Sequence, residues 1–268
     1  MNRLQFSPLA PCAGILLTVV LTGGLRGADT PASSFRRPEY TILRAATPIK
    51  IDGNLDEPAW FAAPDVGEFH FPWWKEAKKE QTRAKLLWDD ENLYIAFVCE
   101  DAHITAVHTE RDGKIPEDDC VEVMIAPNPK TPHIYYNIEF NLLGGILDNF
   151  RPNGPSKPRA PKWDAEGVRI AGKYVGTLNH DADIDQYWQV EVAIPLRNFA
   201  EVGGQPRPRD GTVWHLNLNR HGGKTNYQAS QWSPADTPTI TFHTPDRFGR
   251  VIFSAKTSPF GAMDDTAK

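Results

Sequence analysis

The sequence has little that is typical of a nucleic-acid-binding or helical protein. Its 29 Lys and Arg residues are outnumbered by 34 Asp and Glu residues, the net charge is -5, and no basic block occurs. Because nucleic acid is bound through clustered positive charge, this composition argues against it as a partner. Long runs with a 3.6-residue hydrophobic period are also missing, which argues against a helical fold.

Only one apolar run stands out, and it lies near the N terminus. Residues 13–21 (AGILLTVVL) follow the basic Arg3 and precede small residues at 23, 24, 27 and 28. This order is typical of a secretory signal peptide, and the run is too short to span a bilayer. We therefore predict a signal peptide over 1–28, a linker over 29–40, and a secreted or periplasmic protein without a membrane anchor.

Cysteine and histidine do not form a recognisable metal motif. Of three cysteines, two follow the predicted signal peptide, Cys99 and Cys120. An oxidising compartment would allow them to pair, but pairing needs a Cα separation that a sequence does not supply. A disulfide and two separately buried thiols therefore both stay open. The eight histidines show no metal-ligand spacing.

The chain after residue 40 is predicted to form one all-β domain. The 23 prolines and 20 glycines of the full sequence are spread along it and separate short apolar or alternating runs, which is typical of strands. The predicted strands are 41–51, 82–88, 93–100, 119–126, 134–141, 145–149, 168–175, 188–194, 212–219, 226–232 and 250–253. With one short helix near Pro58, they predict a two-sheet antiparallel β-sandwich, jelly-roll-like, over 41–256. We expect a flexible tail over 257–268 and a monomer.

The predicted strand at 119–126 alternates regularly, which assigns its two faces. Val121, Val123 and Ile125 would pack into the core, and Glu122 would be held on the opposite face. A carboxylate fixed on a strand is placed accurately enough to recognise a ligand. Glu122 is therefore the first candidate for a functional side chain.

Eight segments, taken in order, carry a family resemblance. They are IDGNLDEPAW (51–60), KLLWDDENLYIAFVCED (85–101), DDCVEVMI (118–125), YYNIEFNLLGG (135–145), YWQVEVAIPL (187–196), GTVWHLNLNR (211–220), QWSP (231–234) and DRFGRVIF (246–253). Together they resemble the carbohydrate-binding module family 9 domains. The resemblance implies a jelly-roll-like β-sandwich whose concave face binds a polysaccharide or oligosaccharide without cleaving it, in the service of carbohydrate breakdown. It also implies structural calcium ions in some members.

The resemblance implies site residues as well. In the best-known members two tryptophans clamp the sugar, because a pyranose has apolar faces and a polar edge. The surrounding polar positions correspond to Glu122 and Asn137, with Glu139 on the same face, and one clamping position corresponds to Phe242. The other clamping position falls at 115–116, where no aromatic residue occurs.

A substitute for this absent ring would come from another loop. The candidates are Trp73, Trp74, Trp163 and Trp232. Trp74 is favoured together with its neighbour, because two adjacent tryptophans cannot both face the core. Arg220, at the end of a predicted strand, would add a polar group to the same face.

Other interpretations of these residues stay open. Asp118 and Asp119 offer clustered oxygen ligands for calcium, although a polar turn before a strand needs no ion. Glu122 and Glu139 would suit a glycoside hydrolase, which works with paired carboxylates. Met124, on the strand face of Glu122, would suit a haem-binding β-sandwich, although a strand methionine more often serves packing.

Overall fold

The computed structural model describes residues 35–158, 163–199 and 207–257. Its strands are β1 (Glu39–Arg44), β2 (Thr82–Trp88), β3 (Asn92–Glu100), β4 (Cys120–Ala126), β5 (Tyr135–Asn141), β6 (Ile146–Arg151), β7 (Arg169–Val175), β8 (Tyr187–Pro195), β9 (Val213–His221), β10 (Ala229–Gln231) and β11 (Gly249–Thr257). One short helix, α1, spans Pro58–Ala62. Every predicted strand is present, although β1 ends at Arg44 rather than at residue 51. The predicted signal peptide, half of the predicted linker and nearly all of the predicted tail lie outside the described residues.

The strands form one hydrogen-bonded sheet. Ten of them follow the order β6-β5-β4-β9-β11-β1-β2-β3-β8-β7, and β10 pairs with β9. Strand β1 is parallel to both of its neighbours, β11 and β2. The expectation of a purely antiparallel fold was therefore wrong, and two separate sheets are not confirmed. The reason is β1, which joins the two halves of the sheet through backbone pairing that side-chain patterns do not reveal.

The sheet curls so that its two halves enclose the main core. Apolar side chains from both halves form one buried cluster, and Phe97 of β3 meets Phe140 of β5 with ring centroids 6.0 Å apart. Three tryptophans, Trp88, Trp188 and Trp214, are buried there. Burial of this apolar surface is the main force that stabilises the fold.

The segment around α1 covers the outer face of β2, β3 and β8. Pro58 begins the helix, as its fixed φ favours, and the residue before it, Glu57, occupies the N-cap without a side-chain bond. Trp60 packs against Leu87 and Tyr94. Its indole nitrogen donates to the Glu191 carboxylate at 2.8 Å, which fixes the segment to the sheet.

The two cysteines do not form a disulfide. Cys99 and Cys120 are both free and buried. Cys99 belongs to the main core, whereas Cys120 shares the outward parity of Glu122 on β4, so the open question is answered by two separate thiols.

In the described part of the chain, no helix is long and apolar enough to cross a membrane.

Candidate saccharide-binding site

Strands β4, β5 and β9 bring a set of polar side chains together on their outer face. Glu122 pairs in register with Glu139 of β5 and with Asn219 of β9. Two residues further along β4, Met124 pairs with Asn137 of β5 and Asn217 of β9. We call the polar members of this set the polar layer; they are Glu122, Asn137, Glu139, Asn217 and Asn219. The alternation of side chains along each strand places all of them on one face.

Glu122 is the centre of the hydrogen bonds in the polar layer. Its Oε1 accepts from Asn137 Nδ2 at 2.6 Å and its Oε2 accepts from Asn219 Nδ2 at 2.8 Å. Asn137 Nδ2 also donates to Glu139 Oε1 at 3.3 Å. One amide nitrogen therefore holds both carboxyl groups, so the sequence prediction that Glu122, Asn137 and Glu139 share a face is met by the geometry.

The polar layer is closed to solvent. Glu122 is 2% exposed, Asn137 1% and Glu139 8%. Burial, followed by the nearby Glu139 carboxylate, raises the pKa of Glu122 well above its usual range. Because two adjacent buried carboxyl groups cannot both ionise cheaply, we expect the pair to hold its last proton to a higher pH than two separate, exposed glutamates would.

Aromatic residues from the loops cover this face. Phe242 is 4% exposed and packs with Met124. Trp73 lies against it with a centroid separation of 5.7 Å, and His221 meets it edge-on at 4.8 Å. Burial lowers the pKa of His221 to about 4, so its ring is neutral at pH 7. Phe242 is therefore near the polar layer but its ring serves packing rather than an open stacking surface.

Arg220 does not join this face. It pairs in register with the core residue Val121, and its guanidinium group donates to Asp101 Oδ2 at 2.9 Å, with Glu80 at 3.9 Å. The prediction that it adds a polar group beside Glu122 was wrong. The parity of β9 gives the reason, because Arg220 follows the core-facing Leu216 and Leu218 at the same two-residue spacing.

Asp118 and Asp119 hold a loop through backbone amides. Asp118 Oδ2 accepts from the nitrogens of Val107 and His108 at 3.1 and 3.0 Å. Asp119 Oδ2 accepts from Thr105 N at 2.7 Å, and its other oxygen accepts from Gly223 N. Through these bonds the two carboxylates act as anchors of the loop, and the calcium interpretation stays a prediction.

A different acidic cluster was not singled out from the sequence. Asp112, Asp148 and Asp164 each place one carboxylate oxygen within 4.8 Å of the others. Arg111 forms ion pairs with Asp148 and, at 4.0 Å, with Asp164, which supplies a positive charge to the group. Clustered acidic groups of this kind are common without a metal.

Met124 serves packing. It is fully buried in a cluster with Ala126, Tyr135, Phe242 and Phe248. It packs against these apolar groups, as expected of a methionine that fills a core. This environment does not favour the haem-binding interpretation.

The position of the missing clamp is occupied by a buried aliphatic residue. Ile115 is fully buried in a 3₁₀ turn, Ile115–Glu117. Among the substitutes, Trp232 is buried and donates to Val66 O at 2.9 Å, and Trp163 packs against Tyr136. Trp74, by contrast, is 40% exposed, as the argument from adjacent tryptophans predicted.

Trp74 belongs to a pocket at the edge of the covered face. The pocket has a volume of about 270 Å³. We call it the aromatic pocket, and its lining includes Phe71, Trp73, Trp74, Tyr227 and Ile240. Tyr227 was not anticipated from the sequence, because a single tyrosine in a polar loop carries no periodic signal.

The family to which the chain belongs is shown by sequence comparison. The model of carbohydrate-binding family 9 matches residues 69–253, which include the polar layer and the aromatic pocket. This is more than half of the chain, and the protein is a member of carbohydrate-binding family 9. No curated protein matches the chain.

Several solved structures share the fold of this chain. A Bacteroides uniformis protein, assigned provisionally to carbohydrate binding, is 18% identical with a TM-score of 0.66, over 82% of this chain and 100% of its own. A family 9 module from Caldicellulosiruptor kristjanssonii in complex with cellotriose is 15% identical with a TM-score of 0.57, over 82% and 95%. A family 9 module from the same organism, in complex with glucose, is 16% identical with a TM-score of 0.55, over 81% of this chain and 97% of its own. At these identities the likeness establishes the fold.

Proposed function

We propose that this protein binds carbohydrate and does not cleave it. The observation that carries the proposal is membership of carbohydrate-binding family 9, whose model spans 69–253. That span runs from the loop before β2 into β11, so it includes every strand that builds the polar layer. The match thus extends over most of the sheet rather than over an isolated motif.

The saccharide binds on the β4–β5–β9 side of the molecule. Glu122, Asn137 and Glu139 lie beneath this surface and hold its strands in place through their shared hydrogen bonds. Phe242 and Trp73 form the cover, and the exposed Trp74 offers an aromatic ring to a ligand. This arrangement retains the predicted site residues apart from Arg220, with Glu122, Asn137, Glu139 and Phe242 supporting the contact surface.

The geometry of the two carboxyl groups favours binding over hydrolysis. A glycoside hydrolase places an acid and a second carboxylate on either side of the bond to be cleaved, about 5–9.5 Å apart. Here Glu122 and Glu139 bind the same amide nitrogen at 2.6 and 3.3 Å within a layer closed to solvent. A sugar cannot enter between them while these bonds are made.

Two solved relatives suggest the ligand class, since they were determined with cellotriose and with glucose. We therefore take glucose and its oligosaccharides as the first ligands for this protein. The pattern of residues 1–28 supports a role outside the cytoplasm. An exported saccharide-binding protein would serve the breakdown of an external polysaccharide, alone or beside an enzyme.

The test is a binding and turnover experiment on one preparation. The purified protein is titrated with cellotriose and glucose by calorimetry and applied to a glycan array, and the same saccharides are assayed for released reducing ends. We expect saturable binding and no turnover. Absence of binding to any saccharide would contradict the proposal. Turnover that Glu122→Gln abolishes would show instead that the protein is a hydrolase.

A further inference from the structure

We propose that the aromatic pocket, rather than the polar strand face, receives the terminal pyranose ring of the saccharide. This inference rests on the proposed function and assigns its contact surface. Trp74 and Tyr227 are the two residues that carry it, because they are the exposed aromatic members of the pocket, at 40% and 52%. The pocket thus offers a binding surface where the strand face offers none.

The outer face of β4, β5 and β9 cannot bind a sugar in this structure, because Phe242 and Trp73 cover it. Phe242 is 4% exposed and Glu122 is 2% exposed. A sugar could stack on Phe242 only after Trp73 left its place 5.7 Å away. Trp73 is anchored, since its indole nitrogen donates to Thr237 O at 2.9 Å. The aromatic pocket begins where this cover ends, since Trp73 lines it as well.

The rings of the pocket are held in position before any ligand arrives. The Lys79 ammonium group lies 4.8 Å from the Trp74 ring centroid and 5.6 Å from that of Phe71. The Tyr227 hydroxyl lies 3.3 Å from His221 Nδ1. Cation–π contact and hydrogen bonding restrict these side chains, so less conformational entropy is lost when a ligand binds.

The chemistry of the lining matches a sugar ring. A pyranose presents apolar C–H faces that stack on aromatic rings, and hydroxyl groups at its edge that need polar partners. The pocket supplies the aromatic rings, and Lys75 and Glu76 line it with charged groups that reach solvent. Its volume of about 270 Å³ lies just below the usual range for ligand pockets of about 300–1,000 Å³, which suits one end of a chain.

The experiment compares Trp74→Ala and Tyr227→Ala with Phe61→Ala in titrations with cellotriose. Phe61 is a matched control, because it is an aromatic residue that is 65% exposed and it belongs to α1 on the opposite half of the sheet. We expect each pocket variant to weaken binding by about 5- to 150-fold, the range that base stacking on aromatic residues gives. The control should bind as the wild type does, and circular dichroism should show all three folded.

The outcomes separate this inference from the proposed function. If the wild type binds cellotriose and both pocket variants bind it as tightly, the aromatic pocket is not the binding site, although the protein still binds saccharide. If Phe61→Ala weakens binding as much as the pocket variants do, the effect is not local and the pocket is again overturned. Wild-type protein that binds no saccharide on the array would overturn the function and the pocket together.

Discussion

Glu122→Gln is a substitution that tests the buried polar layer directly. Glutamine has almost the same shape as glutamate, and its carbonyl oxygen can still accept from Asn137. Its new Nε2 group would face Asn219 Nδ2, which donates to Glu122 Oε2 at 2.8 Å. Asn219 Oδ1, however, is buried and has no hydrogen-bond partner. Turning the Asn219 amide over would let this oxygen accept from the new amide, so we expect the variant to fold.

The expected effect is a change in how stability depends on pH. Burial, and then the Glu139 carboxylate, raise the pKa of Glu122 well above its usual value, which is about 4.3 in the unfolded chain. Between these two values the native state keeps a proton that the unfolded state releases. The native state therefore loses stability as the pH rises through this window, by at most about 1.4 kcal/mol per pH unit. Glutamine does not ionise, so the variant escapes this loss.

Urea unfolding of both proteins at several values between about pH 5 and about pH 8 measures the effect. As the pH rises, the free energy of unfolding of Glu122→Gln should increase relative to that of the wild type. Other titrating groups, such as His221, contribute equally to the pH dependence of stability in both proteins, so their contributions cancel in the difference. The pKa of His221 is lowered to about 4 by burial, so it removes stability as the pH falls below about 6.5. Glu68→Gln, at an exposed site, is the control. A difference for Glu122→Gln that stays constant across this range would show that the pKa of Glu122 is the same in the native and unfolded states.

Two further substitutions test packing elsewhere in the sheet. Arg220→Leu should lower the free energy of unfolding in urea by about 3–5 kcal/mol, because the Asp101 carboxylate would be left buried and unpaired. The exposed Arg83→Leu should cost less than about 1 kcal/mol, and equal losses would contradict the argument. Gly249→Ala should lower the Tm, because an added Cβ would collide with the Trp232 ring and overpacking costs about 1–3 kcal/mol. An unchanged Tm would show that this contact yields easily.

The strands could be predicted from the sequence because each carries its own periodic signal. The alternation of Val121, Val123 and Ile125 with Glu122 placed β4 and its two faces correctly. The same rule applied to β9 would have placed Arg220 on the core side, since it shares the parity of Leu216. That error came from treating a charged side chain as exposed, whereas a buried arginine is stable when carboxylates surround it.

The closure of the polar face could not be predicted in this way. Alternation tells which side chains oppose the core, but it does not tell whether a distant loop covers them. The cover here comes from Trp73 and Phe242, which are separated by most of the chain and meet only in the fold. The parallel pairing of β1 with β11 is a second feature of this kind, because backbone pairing across a long separation leaves no local pattern.

A crystal structure of the protein grown with cellotriose would test the central claim most directly. We predict a terminal glucosyl residue in contact with Trp74 and Tyr227, with the Trp73 ring still packed on Phe242. A saccharide seated on Glu122 and Asn137, with Trp73 displaced from Phe242, would contradict it.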